Sequence, residues 1–144
     1  MADTKRIVVG VDGSDCSDAA LRWASENAQE HGAELVVVTV WREPPPQVAP
    51  PYGSYPWGVE THAEENAQKL QDAALVRVLG GEPEVKVTTQ VTEGNAAKVL
   101  VDASRDADLL VVGTRGHGGF AGLLLGSVSQ QVAAHAACTV AIVR

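Results

Sequence analysis

The residues best suited to chemistry lie late in the chain. From Gly113 to Gly126, glycines stand at positions 113, 116, 118, 119, 122 and 126, interleaved with Arg115 and His117 and followed by Ser127 and Ser129. Glycines remove the β-carbons that would keep a ligand away from backbone N–H groups, and a helix starting near Ser127 adds a partial positive charge at the same place. Together these features describe a cradle for phosphate, with Arg115 and His117 as side-chain donors and the two serines as capping and hydroxyl groups.

Two well-known phosphate loops do not fit. The P-loop needs Gly-Lys ahead of Ser or Thr, and Gly126-Ser127 has no such lysine. The run Gly116-His117-Gly118-Gly119-Phe120-Ala121 matches the dinucleotide fingerprint by letters. Its context is wrong: it follows the fourth strand-like run, leads into Leu123-Leu124-Leu125, and has no Asp or Glu downstream to hold a ribose.

Asp12 gives the loop a partner. It ends the strand-like run Ile7 to Val11, and in an open parallel sheet ligands bind outside the carboxyl ends of the strands, where strand order reverses. If the first and fourth strands are neighbours, Asp12 faces the glycine loop, a position suited to sugar hydroxyls. Asp12-Gly13 is equally a good turn pair, so a purely structural role stands beside the binding one.

The elements that must position these groups are legible. Ile7 to Val11, Leu35 to Val40, Leu109 to Val112 and Thr139 to Val143 are nearly continuous aliphatic runs, as expected of parallel strands covered on both faces. Val85 to Val91 alternates and predicts an edge strand. Between them fall helical patterns. Ser14 is a candidate N-cap, with Ala20, Trp23, Ala24 and Ala28 as an apolar stripe ending at His31-Gly32. Ala63, Ala67, Leu70, Ala74 and Val78 precede Gly80-Gly81, a third helix begins at Gly94-Asn95 with Ala97, Leu100, Val101 and Ser104 inward, and a fourth begins at Ser127 with Val128, Val132 and Ala136 inward. Alternating strands and helices with right-handed crossovers predict a three-layer, doubly wound α/β fold.

Composition bounds the rest. The chain has 144 residues, enough for one domain over 1–144, and a formal net charge of −7 that argues against nucleic acid as a partner. The charge is uneven: all 18 acids and 9 of the 11 basic residues precede Leu109, so the last 36 residues hold Arg115, Arg144 and no acid. That part can accept an anion. No apolar run is long enough to span a bilayer and no signal-peptide pattern opens the chain, which predicts a cytoplasmic protein without membrane contact. Cys16 and Cys138 have no metal-site spacing; Cys138 reads as a small buried hydrophobe. Residues 42–58 hold Pro44, Pro45, Pro46, Pro50, Pro51 and Pro56 with Tyr52, Tyr55 and Trp57, a loop suited to an exposed connection, a lid or a subunit contact.

Gly113-Thr114-Arg115-Gly116, nine residues, then Gly126-Ser127 resembles the G-2x-G-9x-G(S/T) nucleotide motif of the universal stress proteins, and Ile7 to Ser14 resembles their opening strand. The likeness covers essentially the whole chain and is greatest to the actinobacterial branch. It implies five parallel strands in the order 3-2-1-4-5 with helices on both faces, a fold like that of the adenine nucleotide alpha hydrolases. It also implies ATP, alone or with Mg²⁺, as ligand. The matching positions are Asp12 for ribose, Val40 for adenine, Gly10, Val11, Val112 and Gly113 along the pocket, and Gly116, Gly126, Ser127, Val128 and Ser129 for phosphates. Relatives commonly dimerise through the last strand, here 139–143, whose apolar edge independently favours self-pairing.

No catalytic set stands out, since the glycine loop and the chain after it contain no carboxylate. The leading expectation is therefore an ATP-binding regulatory module read by an unidentified protein partner, with at most slow hydrolysis through His117. A cAMP- or AMP-binding variant, an adenine-nucleotide-using enzyme and a nucleotide-free interaction module are the alternatives.

Overall fold

A computed structural model describes residues 5–42, 62–81, 83–115 and 125–144. Five parallel strands, β1 (Arg6–Gly10), β2 (Glu34–Trp41), β3 (Val87–Glu93), β4 (Leu109–Gly113) and β5 (Thr139–Val143), form one sheet in the order β3-β2-β1-β4-β5. Four helices alternate with them: α1 (Asp15–His31), α2 (Ala63–Leu79), α3 (Ala96–Ser104) and α4 (Ser127–His135). The doubly wound fold and its strand order follow the expectation.

Chain direction explains the layers. Strands β1 to β3 step one way across the sheet, and right-handed crossovers put α1 and α2 on one face; β4 and β5 step the other way, which puts α3 and α4 on the opposite face. Each central strand is consequently buried on both sides. Val9, Leu35, Val37 and Val111 pack with Leu21, Ala24, Ala28 and Ala74 of α1 and α2. Val8, Val36, Val38, Leu110 and Val112 pack with Leu100 and Val132 of α3 and α4. Alternate residues of one strand thus feed two cores, which is why the runs read as continuously aliphatic.

Several expectations change in detail. Trp23 is on the surface, 37% exposed, and Leu21 is fully buried in α1. At 3.6 residues per turn, Ser17, Ala20, Leu21, Ala24 and Ala28 form one stripe, and Trp23 falls beyond its Ala20 edge, on the side away from Leu21. Strand β3 starts two residues later than the alternation suggests, because its register is set by pairing Val87 with Leu35 and Trp41 with Glu93. Val101 is only half-buried. Ala136 packs inward as expected but has an extended backbone that ends α4. Cys138 is also half-buried; its partial burial, with the nearby Asp108 carboxylate, pushes the thiol above its ordinary value.

Helices α1 and α2 are tied by Arg77, which donates from Nε and Nη2 to both carboxylate oxygens of Asp18 at 2.8 and 2.9 Å. Beneath α2, the fully buried Gln71 donates to Val37 O at 3.2 Å, Thr39 Oγ1 at 3.2 Å and Gln90 O at 2.9 Å, joining the helix to β2 and to the edge strand β3.

Candidate functional site

The reversal of strand order falls between β1 and β4, and a cavity of about 200 Å³ opens at their carboxyl ends. Its floor is strand-derived: Gly10 and Val11 after β1, Val38 and Val40 from β2, and Val112 and Gly113 from β4. Ala96 and Leu100 of α3 close one side, and Gly126, Ser127, Val128 and Ser129 at the start of α4 close another. Asp12, Ser17 and Arg115 complete the wall.

Asp12 is fixed by a short network that begins in the cap of α1. Ser17 N–H donates to Ser14 Oγ at 3.1 Å, and Ser14 donates to Asp12 Oδ1 from its hydroxyl at 2.6 Å and its backbone N–H at 2.9 Å. Asp12 N–H reaches Ser17 Oγ at 3.3 Å, and Gly13 supplies the positive φ of 84° that lets the chain turn. The turn and the cavity roles read for Asp12 therefore coexist: the turn aims a carboxylate into the cavity wall.

The glycine segment is pinned at both described ends by Thr114. Its N–H donates to Val143 O at 2.9 Å, while its carbonyl accepts from Gly126 N–H at 2.6 Å and from Ser129 Oγ at 2.9 Å. Thr114 Oγ1 also donates to Cys16 Sγ at 3.6 Å. This arrangement brings the start of α4 against the end of β4.

The electrostatics at that point favour an anion. Helix α4 has Gly126 as N-cap with no side-chain cap bond and no acid in its first turn, so its leading N–H groups face the cavity uncapped. Helix α1, in contrast, is capped by Ser14 and carries Asp15 and Asp18 in its first turn. Asp12 is the one carboxylate along the cavity among the described residues. No described group of three or more His, Cys, Asp or Glu residues could hold a metal ion.

Of the residues read from sequence, Gly10, Val11, Asp12, Val40, Val112, Gly113, Arg115, Gly126, Ser127, Val128 and Ser129 come together around this one cavity. Gly116 and His117 lie outside the described residues, as do residues 43–58 of the proline-rich segment. Ser129 lines the cavity and is buried, with Oγ against Thr114 O and, at 3.0 Å, Gly126 O, so its hydroxyl ties the start of α4 to the end of β4. Sequence reasoning passed over Ser17, Val38, Ala96 and Leu100. Val38 was recoverable because it shares a strand face with Val40, and Ser17 because it sits three residues after the Ser14 cap; Leu100 looked like core alone.

Fold and cavity together define an open α/β domain with a cavity at its switch point. The chain belongs to the universal stress protein family, whose model matches residues 3–144. A universal stress protein of Mycolicibacterium smegmatis is 37% identical over 140 residues, covering 95% of this chain and 47% of the relative. One from Mycobacterium tuberculosis is 36% identical over 97% of this chain and 48% of its own length. The chain thus spans about half the length of the curated relatives it matches. Among solved structures, UspA from Lactobacillus plantarum has a TM-score of 0.68 at 23% identity, with both chains fully covered. A universal stress protein in complex with cAMP has a TM-score of 0.60 at 31% identity, covering 97% of this chain and 96% of that one. No helix among the described residues is long and apolar enough to cross a membrane.

Proposed function

We propose that this chain is an adenine-nucleotide-binding regulatory module. The observation that carries the reading is the facing of Asp12 and the uncapped start of α4 across one cavity, a carboxylate for ribose hydroxyls opposite N–H groups for phosphate. Val38, Val40 and Leu100 supply the apolar wall that a purine needs. The cAMP complex of a relative at 31% identity supports an adenine nucleotide. The spacing from Gly113 to Ser127 supports ATP as the form bound. With Asp12 turned to the ribose, Mg²⁺ would be held chiefly by the nucleotide's own phosphates.

In this reading nucleotide occupancy orders the mouth of the site and changes a surface read by a protein partner, and hydrolysis is slow at most because no described carboxylate stands ready as a base by α4. The domain acts in the cytoplasm as a homodimer through β5, whose outer edge is unpaired among the described residues. Native mass spectrometry of the purified protein tests the ligand: ATP, AMP or cAMP on the chain supports the reading and identifies the form. Protein that is empty and gives no heat on titration with all three overturns it. Sustained multiple-turnover cleavage of ATP would instead favour an enzyme.

A further inference from the structure

Trp23 of α1 and Val76 of α2 are the large apolar side chains left exposed among the described residues. Their surroundings differ. Cys16, in the first turn of α1, receives the Thr114 hydroxyl and lies against Gly113, so this flank of the helix meets the end of β4. Seven residues carry a helix through about 700°, within about 20° of two turns, and advance it by about 10 Å. Trp23 therefore shares the Cys16 flank, about three strand residues back from the Gly113–Val143 pair. Asp18, held by Arg77 of α2, marks the opposite flank. Beyond β4, α1 packs on β5, and Trp23 consequently overhangs that strand near Ala141.

Strand β5 is open on this side. Val143 O accepts from Thr114 N–H, so Thr139, Ala141 and Val143 turn their backbone groups toward β4, while Val140 and Ile142 turn theirs outward, where no described strand pairs with them. The other sheet edge, β3, reads Val-Thr-Thr-Gln-Val-Thr-Glu and is guarded by polar side chains. The β5 edge, Thr-Val-Ala-Ile-Val, has no such guard. Ala141 and Val143, half-buried, form its row on the α1 face.

An apolar edge of unpaired amides fits another strand, and an antiparallel strand pair is self-complementary about a twofold axis. Charge does not oppose such a pair: the chain carries −7, yet no acid follows Asp108. The axis stands normal to the sheet, which keeps both copies of α1 on one face. Their Cys16–Trp23 flanks then confront each other across a trough floored by the small Ala141 of each copy. Backbone pairing of two short edges is weak by itself, and buried tryptophans commonly supply the missing affinity. Building on the β5 homodimer read above, we propose that Trp23 is the anchor of that self-interface, the two indoles filling the trough over the paired β5 strands.

Sedimentation equilibrium of the whole chain, with urea unfolding at a dilution where the protein is monomeric, tests this. Trp23→Ala is expected to raise the dimer dissociation constant by about thirtyfold, ~2 kcal/mol, and to leave the monomer's urea midpoint in place. Val76→Ala, the same kind of truncation on the exposed face of α2, should leave the dimer as tight as the wild type. An undiminished dimer in Trp23→Ala, or equal weakening by both substitutions, overturns the anchor while the β5 homodimer stands. A lowered monomer midpoint in Trp23→Ala makes the indole part of the protomer's own packing and also overturns the anchor. A wild-type chain that stays monomeric at every concentration overturns the anchor together with the β5 homodimer.

Discussion

A β-carbon on Gly113 would stand 2.7 Å from the carbonyl carbon of Cys16 and 2.8 Å from both Cys16 O and Cys16 Cβ. The end of β4 and the first turn of α1 meet too closely for any side chain, and the obstacle is mostly backbone, which cannot rotate aside. Gly113→Ala is accordingly expected to destabilise the fold by about 1–3 kcal/mol, read from the midpoint of urea unfolding. Loss of a ligand in this variant would report a displaced β4 as much as a missing contact. A change below about 0.5 kcal/mol, the range of an ordinary surface substitution, would contradict the close approach.

Gly10 gives the contrasting case. A β-carbon there would lie 3.0 Å from Leu100 Cδ1 and 3.4 Å from Cδ2, the free end of a flexible side chain. Leu100 can turn, so Gly10→Ala should cost about 1 kcal/mol while pressing Leu100 into the cavity that both residues line. Nucleotide affinity should drop severalfold with the fold intact, as judged by circular dichroism and calorimetry on the same sample. Unaltered affinity would remove Leu100 from the ligand's wall.

For Asp12, replacement by Ala removes both the acceptor that holds Ser14 and the carboxylate at the cavity. We expect about 1 kcal/mol of lost stability, the scale of a helix-cap substitution, and at least a tenfold fall in affinity for AMP. Ser14→Ala is expected to lose similar stability with a smaller effect on binding, because the carboxylate remains. Equal binding losses in the two variants would mean that Asp12 acts only through the turn.

Gln71 should be costly to replace. Gln71→Ala leaves a void under α2 and strips a donor from Val37 O, Thr39 Oγ1 and Gln90 O, for an expected loss of about 2–4 kcal/mol. Because β3 pairs with β2 alone among the described residues, hydrogen exchange should accelerate first at Val87–Glu93. Uniform acceleration over all five strands would argue against this local anchoring.

The Cys138 thiol, raised first by burial and then by the Asp108 carboxylate, sets an alkaline limit. Between the unfolded thiol's value near about 8.5 and the raised native one, the folded chain keeps a proton that the unfolded chain has lost. Stability therefore falls as pH rises through that window. Cys138→Ala should flatten this arm of the pH–stability curve relative to wild type, and iodoacetamide should modify native Cys138 more slowly than the denatured thiol at pH 8.5. Parallel curves for the two proteins would refute the shift.

How much of this was written in the chain differs by element. Aliphatic runs broken by capped helices specify five strands and four helices because backbone hydrogen bonding and burial on two faces leave few other uses for such patterns. The motif from Gly113 to Ser127 points to the candidate site for a related reason: glycine spacing is a backbone property and survives in one dimension. What the chain hides is what depends on packing. Trp23 looks like part of the core stripe until Leu21 takes that position, and nothing in the order of residues shows that Thr114, fifteen residues earlier, accepts the Ser129 hydroxyl.

The sequence by itself determined the alternation of strands and helices and the family, since each rests on local geometry and periodicity. Only the tertiary structure decided which residues gather at the carboxyl ends of β1 and β4. Asp12, Val40, Leu100 and Ser127 come from four separate stretches of chain, and sheet order and helix packing alone bring them around one cavity.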